Sequence, residues 1–392
     1  MFGVVFVSEG IMYTFCAIFP SVGSVLSNYN SPLYLQDERL GVRPNPHYPE
    51  HDSNGFRNRS VPKSADIIAI GDSQTYGISA SRGKAWPQQL ASISKRSVYN
   101  MALGGWGPLQ YLMLTDNALG FQPKVIIQAF YAGNDIYDSF LVVYGKHQFP
   151  ELRSTSPEII NQIEKLESDK KLGNKIAEVT LSMGTGNPNV AENRYALIRY
   201  MLKHSKLCNL ILSAIMKIFK PSLFLDDAGV SEQQWLAIKD HFKKIDGSQV
   251  YEAKGIRTVF TPRYRLCALN LEDKRLEEGL RISLQAIRMQ AERMKAKGVR
   301  FIILFIPTKE YVFKEMLDSE KYESSDELRM LMTNEERMWR EIRQFAEKNG
   351  MEYLDTLPAL QKYVYSGKQP YRSDDDGHPN AMGYRAIAEI VA

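Results

Sequence analysis

The sequence predicts an α/β protein whose core is a parallel sheet of about five strands. Two observations support this prediction. Short apolar runs rich in β-branched residues, such as the run at 67–70, end at turn residues, which is typical of buried parallel strands. These runs alternate with helical segments, which is typical of a sheet with helices on both faces. At 392 residues the chain exceeds the minimum for one such domain.

The predicted elements follow one another in a regular order along the chain. The predicted strands lie at 66–71, 97–103, 124–131, 299–306 and 351–354. The predicted helices lie at about 85–94, 108–119, 334–349 and 381–391, with a further long helix that includes Ala286 and Met294. Because ligands of such sheets bind beyond the carboxyl ends of the strands, the loops after the first three strands should form the site.

Apart from the α/β domain, the chain divides into three further segments: an insertion, a connector and an N-terminal segment. Residues 65–138 and 269–392 form the predicted α/β domain. The interval 139–268 is too long for a simple crossover and predicts a mostly helical insertion over the mouth of the site. Residues 28–64, rich in Pro and Asn, predict a connector.

The N-terminal residues 1–27 predict a transmembrane anchor. Residues 3–26 are largely apolar and long enough to cross a bilayer. Glu9 is costly within a span, and no Lys or Arg precedes Arg39, so a helix packed on the domain is the alternative. With such an anchor, we expect the protein to lie in the inner membrane with its catalytic domain in the periplasm. The basic amphipathic segment 200–220 predicts either a membrane-surface helix or one packed on the main domain.

Composition argues against several classes of function. The net charge of +4 is too small to indicate a nucleic-acid partner, and no basic run has interleaved aromatic residues. The three cysteines, Cys16, Cys208 and Cys267, lack the spacing of metal ligands. The sequence therefore predicts neither nucleic-acid binding nor a metal site.

Four short motifs follow the predicted strands or lie near the C-terminus. They are Gly-Asp-Ser-Gln at 71–74, Gly-Gly-Trp-Gly at 104–107, Gly-Asn-Asp at 133–135 and Asp-Asp-Asp-Gly-His-Pro-Asn at 374–380. Each has a plain structural explanation when taken alone: Ser73 can cap a helix, and Asn134 can form a turn. Their occurrence together, in this order and on alternating strands, favours a common site.

This set of motifs resembles the SGNH (GDSL-type) serine hydrolase superfamily. The blocks of that family carry Ser, Gly, Asn and His in this order, and the resemblance covers residues 65–135 and 299–392. Within the superfamily the chain resembles the membrane-anchored bacterial type, which is similar to polysaccharide O-acetyltransferase-like and esterase members. The resemblance implies a flavodoxin-like, three-layer α/β/α fold.

The resemblance also implies a catalytic triad. Ser73 would be the nucleophile and His378 the base that removes its proton. The family pattern Asp-x-x-His favours Asp375 as the carboxylate that orients the histidine. Some members use Asp-x-His, which would select Asp376 instead. No cofactor is implied, because the three side chains suffice for the chemistry.

The same resemblance implies an oxyanion hole. Its donors would be the backbone N–H groups of Ser73 and Gly105 and the side-chain amide of Asn134. Gly105 is favoured over Gly104 by the family spacing, and a glycine also permits close approach of a ligand to the backbone.

Two basic residues are candidates for substrate binding. Arg57 lies in a segment similar to one that precedes the nucleophile strand in membrane-anchored relatives, and it would either contact substrate or anchor its own loop. Lys309 lies in a Pro-x-Lys element similar to one near the site of polysaccharide O-acetyltransferase-like members. It would contact a polar acceptor or simply begin a helix.

The sequence therefore predicts a serine-dependent esterase that forms an acyl-enzyme and acts on an acylated small molecule or polysaccharide. An O-acyltransferase to a polysaccharide hydroxyl would use the same residues. A catalytically silent binding or assembly protein is the third interpretation, and the intact set of four motifs argues against it.

Overall fold

A computed structural model describes residues 32–182 and 230–392. The described residues fall into two units, 32–61 on one hand and 62–182 with 230–392 on the other, and each is described by itself. The predicted anchor at 1–27 and the amphipathic segment 200–220 lie outside the described residues. Within the two described ranges, no helix has the length and apolar character that crossing a membrane requires.

Five parallel strands form the central sheet, as the sequence predicts. The strands of the described chain are β1 Tyr34–Asp37, β2 Gly41–Pro44, β3 Ile67–Gly71, β4 Val98–Ala102, β5 Val125–Tyr131, β6 Gln249–Ala253, β7 Ile256–Phe260, β8 Arg300–Ile306 and β9 Glu352–Asp355. The sheet order is β4-β3-β5-β8-β9, and every neighbouring pair is parallel. This is the flavodoxin-like order, in which the first strand along the chain lies between the second and the third.

Helices pack against one another around this sheet. The helices of the described chain are α1 Ser73–Tyr76, α2 Trp86–Ser94, α3 Pro108–Met113, α4 Thr115–Leu119, α5 Asp135–Phe140, α6 Pro157–Asp169, α7 Leu172–Ser182, α8 Glu232–Phe242, α9 Pro262–Leu269, α10 Lys274–Ala296, α11 Lys309–Ser319, α12 Asp326–Lys348, α13 Leu357–Tyr365 and α14 Ala381–Val391. One group joins α2, α13 and α14, and another joins α3, α5 and α10. Right-handed crossovers place the helix after β3 and the helix after β4 on opposite faces.

The two central strands, β3 and β5, are buried throughout, which explains why their positions could be predicted well from the sequence. Every residue of β3 and of β5 is buried. A strand buried on both faces is a continuous β-branched and apolar run rather than an alternating one. The carboxyl ends of β3, β4 and β5 therefore meet at one edge, and the loops carrying Ser73, Gly105 and Asn134 all begin there.

The insertion contains a β-hairpin besides its helices, so its description as mostly helical is incomplete. Strands β6 and β7 are antiparallel and connect through Lys254 and Gly255. Both turn residues have positive φ, 50° and 78°. A two-residue turn of this kind matches the twist of the paired strands, which makes the hairpin a favourable local structure.

The described part of the connector, 32–61, has regular structure of its own. Strands β1 and β2 form an antiparallel pair. Beyond it, Asp52 closes a loop by accepting hydrogen bonds from the backbone N–H groups of Asn54 (2.9 Å) and Phe56 (3.1 Å). Asp side chains often stabilise turns in this way.

Candidate active site

Ser73 lies at the turn from the first core strand, β3, into the short helix α1. Asp72 caps that helix, because its side chain accepts a hydrogen bond from the backbone N–H of Gln74 at 2.9 Å. The preceding Gly71 has no room for a side chain: a Cβ there would lie 2.2 Å from Thr75 Oγ1. The tight turn leaves Ser73 partly exposed beside the buried Asp72.

Ser73, His378 and Asp376 form a continuous chain of hydrogen bonds. Ser73 Oγ lies 2.8 Å from His378 Nε2, although 305 residues separate them in sequence. On the other side of the ring, His378 Nδ1 lies 2.6 Å from Asp376 Oδ1. This is the order of contacts that lets a histidine remove a proton from a serine hydroxyl.

The carboxylate that contacts His378 is that of Asp376, so the assignment of Asp375 is wrong. Asp376 Oδ1 accepts from both the backbone N–H of His378 (3.0 Å) and its ring Nδ1 (2.6 Å). A side chain that bonds the backbone two residues onward forms an Asx turn. That turn selects the carboxylate at Asp-x-His spacing and leaves Asp375 off the histidine.

Its surroundings keep Asp376 ionised. Burial opposes ionisation, but the charge of His378 and hydrogen bonds from His378 and Ser79 outweigh it and hold the pKa of Asp376 below its usual range. Ser79 Oγ donates to Asp376 Oδ2, the carboxylate oxygen that His378 does not use. Ser79 was not predicted from the sequence. It has φ of 66°, and nothing in the surrounding sequence indicates its partner.

Lys309 supports the loop that carries Asp376 rather than pointing toward a substrate. It is fully buried at the start of α11, where Thr308 caps the helix. Its Nζ donates to the backbone carbonyl oxygens of Asp374 (2.9 Å) and Asp376 (3.2 Å). Burial lowers the pKa of Lys309, against the charges of Glu310 and the three aspartates of the loop, Asp374, Asp375 and Asp376. The prediction that Lys309 contacts an acceptor is therefore wrong.

The three groups predicted to form the oxyanion hole each keep an N–H group for a ligand, and their joint action on one oxygen stays a prediction. In the described ranges, the backbone N–H groups of Ser73 and Gly105 donate no hydrogen bond. Gly105 has φ of 80°, and a Cβ there would meet no atom within 4 Å, so its backbone faces open space. Asn134 caps α5, and its Nδ2 donates to Asp138 Oδ2 at 2.5 Å. An amide nitrogen has two N–H groups, so one remains for a ligand.

Three carboxyl groups in the loops of Ser73 and Asn134 interact electrostatically with one another, and they were not predicted as a group from the sequence. They are Asp72, Asp135 and Asp138. Burial raises the pKa of Asp72 to about 6 and that of Asp138 to about 7. Burial also raises the pKa of Asp135 well above its usual value, and the charges of Asp72 and Asp138 add to this. Tyr131 N (3.1 Å) and Tyr111 Oη (3.2 Å) donate to Asp135.

These carboxyl groups do not form a metal site. In residues 32–182 and 230–392, no three His, Cys, Asp or Glu side chains are arranged to hold a metal ion.

Arg57 lies in the separate unit 32–61 and is described within it. Its guanidinium pairs with Glu50, with Nη2 2.6 Å from Oε2, and its side chain is 7% exposed. This ion pair supports the interpretation in which Arg57 anchors its own loop. A contact between Arg57 and a substrate remains a prediction.

Comparisons with known proteins give matches among solved structures alone. No family model matches the sequence, and no curated protein matches it. The fold is similar to that of a protein described as lipolytic and of the G-D-S-L family, from Desulfitobacterium hafniense, at 11% identity and a TM-score of 0.37 over 83% of this chain and 96% of that one. It is also similar to a catalytic mutant of an acetylxylan esterase from Geobacillus stearothermophilus, at 10% identity and a TM-score of 0.36 over 84% and 94% of the two chains.

A third similar structure is an α/β hydrolase enzyme from the metagenome of Lake Arreo, at 11% identity and a TM-score of 0.34 over 84% of this chain and 94% of that one. At these identities and TM-scores the likeness carries no argument about the chemistry of this protein. The chemistry of the site therefore rests on the distances between Ser73, His378 and Asp376.

Proposed function

We propose that this protein is a serine-dependent ester hydrolase that works through an acyl-enzyme on Ser73. The observation that carries the proposal is the chain of contacts from Ser73 Oγ to His378 Nε2 (2.8 Å) and from His378 Nδ1 to Asp376 Oδ1 (2.6 Å). A serine hydroxyl is a weak nucleophile unless an adjacent base takes its proton, and His378 is placed to act as that base.

The proposed reaction has two halves. Ser73 Oγ attacks the carbonyl carbon of the ester while His378 Nε2 takes its proton, and the same proton then passes to the leaving alcohol. Asp376 holds the proton on Nδ1 and stabilises the charged ring. Water then attacks the acyl-enzyme, with His378 again as base, and releases the acid and free Ser73. The N–H groups of Ser73, Gly105 and Asn134 would stabilise the oxyanion in both halves.

The proposal is tested by turnover of p-nitrophenyl acetate by the full chain, compared with Ser73→Ala. Loss of the nucleophile should lower kcat by a factor on the order of 10⁴ or more. Ser94→Ala is the matched control, because Ser94 Oγ donates to Leu90 O within α2 and has no part in the site. A fluorophosphonate probe should label the peptide that contains Ser73 in the wild type and in Ser94→Ala.

Acyl transfer to a sugar hydroxyl remains a prediction, since the same acyl-enzyme would serve it. Its test is the division of the acetyl group between water and an added oligosaccharide, followed by mass spectrometry. Acetylated sugar formed without free acetate would favour the transferase. If the wild-type protein is folded but shows neither turnover nor labelling, the esterase and the acyltransferase hypotheses are both overturned. A binding or assembly protein is then favoured.

A further inference from the structure

Asn134 is held by a single residue, Asp138, at two points, one on its side-chain amide and one on its backbone. Asn134 Nδ2 donates to Asp138 Oδ2 at 2.5 Å. The backbone N–H of Asp138 donates to Asn134 O at 2.8 Å, which is the first hydrogen bond of α5. The two residues are four apart at the start of a helix, a spacing that places side chains on one face. Backbone and side chain of Asn134 are thus fixed to the same turn.

The contact with Asp138 determines which end of the amide faces the carboxylate. An ionised carboxylate only accepts hydrogen bonds, whereas an amide has a donating nitrogen and an accepting oxygen. The nitrogen of Asn134 must therefore face Asp138, and the flipped orientation would place two acceptors against each other. Holding the nitrogen in place also holds its second N–H group, which is the group available to an oxyanion.

Asp138 also contacts the loop that carries Gly105. A Cβ on Gly107 would lie 3.0 Å from Asp138 Cβ and 3.4 Å from Asp135 O, so the backbone of this loop packs directly on the first turn of α5. Gly107 is two residues after Gly105. One side chain therefore lies against the loops of two proposed oxyanion donors.

Burial and nearby charged groups together set the pKa of Asp138. Burial raises its pKa to about 7; the hydrogen bond from Asn134 and the charge of Lys146 oppose the rise, and the charge of Asp72 adds to it. Burial raises the pKa values of Asp135, Tyr111 and Tyr137, and the charge of Asp138 adds to the rise in each. A protonated Asp138 could donate as well as accept and would no longer favour one orientation of the amide.

We propose that Asp138 is a positioning residue of the oxyanion hole, which holds the Asn134 amide with an N–H group directed at the reacting oxygen. The proposal rests on the proposed ester hydrolysis. Asp138 touches no substrate and acts through Asn134, so its effect should disappear when Asn134 is removed.

The first test is a double-mutant cycle with Asp138→Asn and Asn134→Ala, measured as kcat and KM for p-nitrophenyl acetate. Asn134→Ala should lower kcat by about 10²–10³ through the lost donor. Asp138→Asn should lower kcat at least about tenfold with little change in KM, because an interaction specific to the transition state is weakened. In the Asn134→Ala background the same substitution should change kcat less than about twofold. Equal effects in both backgrounds would overturn the proposal.

The second test does not depend on activity. The ¹H–¹⁵N signals of the Asn134 side-chain amide, identified by their loss in Asn134→Ala, should shift with a midpoint near pH 7 in the full chain. In Asp138→Asn that titration should vanish while the backbone signals of the sheet stay in place. If the Asn134 amide signals respond to pH in the same way in the wild type and in Asp138→Asn, the positioning role is overturned, even in an active esterase. A normal titration in a protein without turnover would instead overturn the proposed hydrolysis.

Discussion

The buried ammonium of Lys309 donates a hydrogen bond to the backbone carbonyl oxygen of Asp376, 3.2 Å away, and a second to that of Asp374 at 2.9 Å. A helix that begins directly after the fourth core strand, β8, therefore holds the loop that presents the carboxylate to His378. The ammonium group faces backbone carbonyls instead of a substrate, and its contribution to activity should be indirect.

Removing this ammonium should weaken both the fold and the site. In Lys309→Met the two carbonyl oxygens lose their donor, and partly buried acceptors left unpaired cost about 1–3 kcal/mol each. We expect a lower free energy of unfolding in urea and at least a tenfold fall in kcat, because Asp376 loses its support. Lys314→Met on the same helix is the control, since Lys314 forms an exposed pair with Asp318 worth about 0.5 kcal/mol or less. Equal effects of the two substitutions would contradict the role of Lys309.

Asp376 and Asp375 should differ sharply when each is changed to Asn. Asp376→Asn keeps the shape of the side chain but no longer holds the proton on His378 Nδ1, and a change of this kind costs about 10⁴ in kcat in a serine triad. Asp375→Asn should leave kcat within a few-fold of the wild type, because it lies off the histidine. Steady-state turnover of p-nitrophenyl acetate by the two variants shows which carboxylate orients His378. The reverse order of effects would restore Asp375 to the triad.

Glu335 should make the stability of the protein depend on pH. It is buried in α12 and accepts hydrogen bonds from Thr308 N (2.9 Å) and Trp339 Nε1 (3.1 Å). Burial raises the pKa of Glu335 to about 7, although these hydrogen bonds lower it. Since its ordinary pKa is 4.5, the folded state binds more protons than the unfolded chain between these values. Its stabilising contribution is complete below about pH 4.5 and is lost as the pH rises through about 7.

The measurement is urea unfolding of the wild type and Glu335→Gln at pH 5, 6, 7 and 8. The free energy of unfolding of the wild type should fall relative to the variant, by at most about 1.4 kcal/mol per pH unit for one proton. Glu336→Gln, at an exposed position of the same helix, controls for the loss of one negative charge. Wild type and Glu335→Gln that change in parallel would mean that Glu335 is ionised in the folded protein throughout this range.

The five core strands could be predicted to within about one residue. For β3, β4, β5 and β8 the reason is that their apolar composition reflects their burial, whereas β9 has no buried residue. The hairpin at 249–260 was missed because most of its first strand, β6, is only partly buried, and because its turn depends on the positive φ of Lys254 as well as Gly255.

The types of residue in the site could be predicted from the sequence, but the contacts between their side chains could not. Three consecutive aspartates precede His378, so composition alone cannot select among them, and the choice depends on the turn that Asp376 forms. The Lys309 side chain is directed at the backbone of Asp374 because α11 packs against a loop that lies 65 residues later in the sequence. Asp138 lies four residues after Asn134, a spacing that indicates a side-chain contact only within a helix. A loop and no helix were predicted at Asn134 from the sequence, so this contact was missed.

Gly279 should prove essential to the position of the helix that begins after Asn134. A Cβ at Gly279 in α10 would lie 2.1 Å from the backbone oxygen of Ile136 and 3.3 Å from Phe140 Cβ. Backbone cannot rotate away as a side chain can, so Gly279→Ala must separate α10 from α5. We expect a loss of about 1–3 kcal/mol of unfolding free energy from overpacking, although alanine favours a helix by up to about 1 kcal/mol over glycine. Since α5 carries Asn134 at its start, kcat should fall as well.

The control for Gly279→Ala is Gly173→Ala in α7, where the nearest atom to the new Cβ is Tyr137 Oη at an ordinary 3.8 Å. Both glycines are helical, so both substitutions gain helix propensity, and only Gly279→Ala meets backbone. Gly173→Ala should therefore be as stable as the wild type or slightly more stable, with unchanged turnover. Urea unfolding and p-nitrophenyl acetate turnover of the two variants separate the effects. If Gly279→Ala were as stable and active as Gly173→Ala, the close contact between α10 and α5 would be wrong, and so would the rigid placement of Asn134 that depends on it.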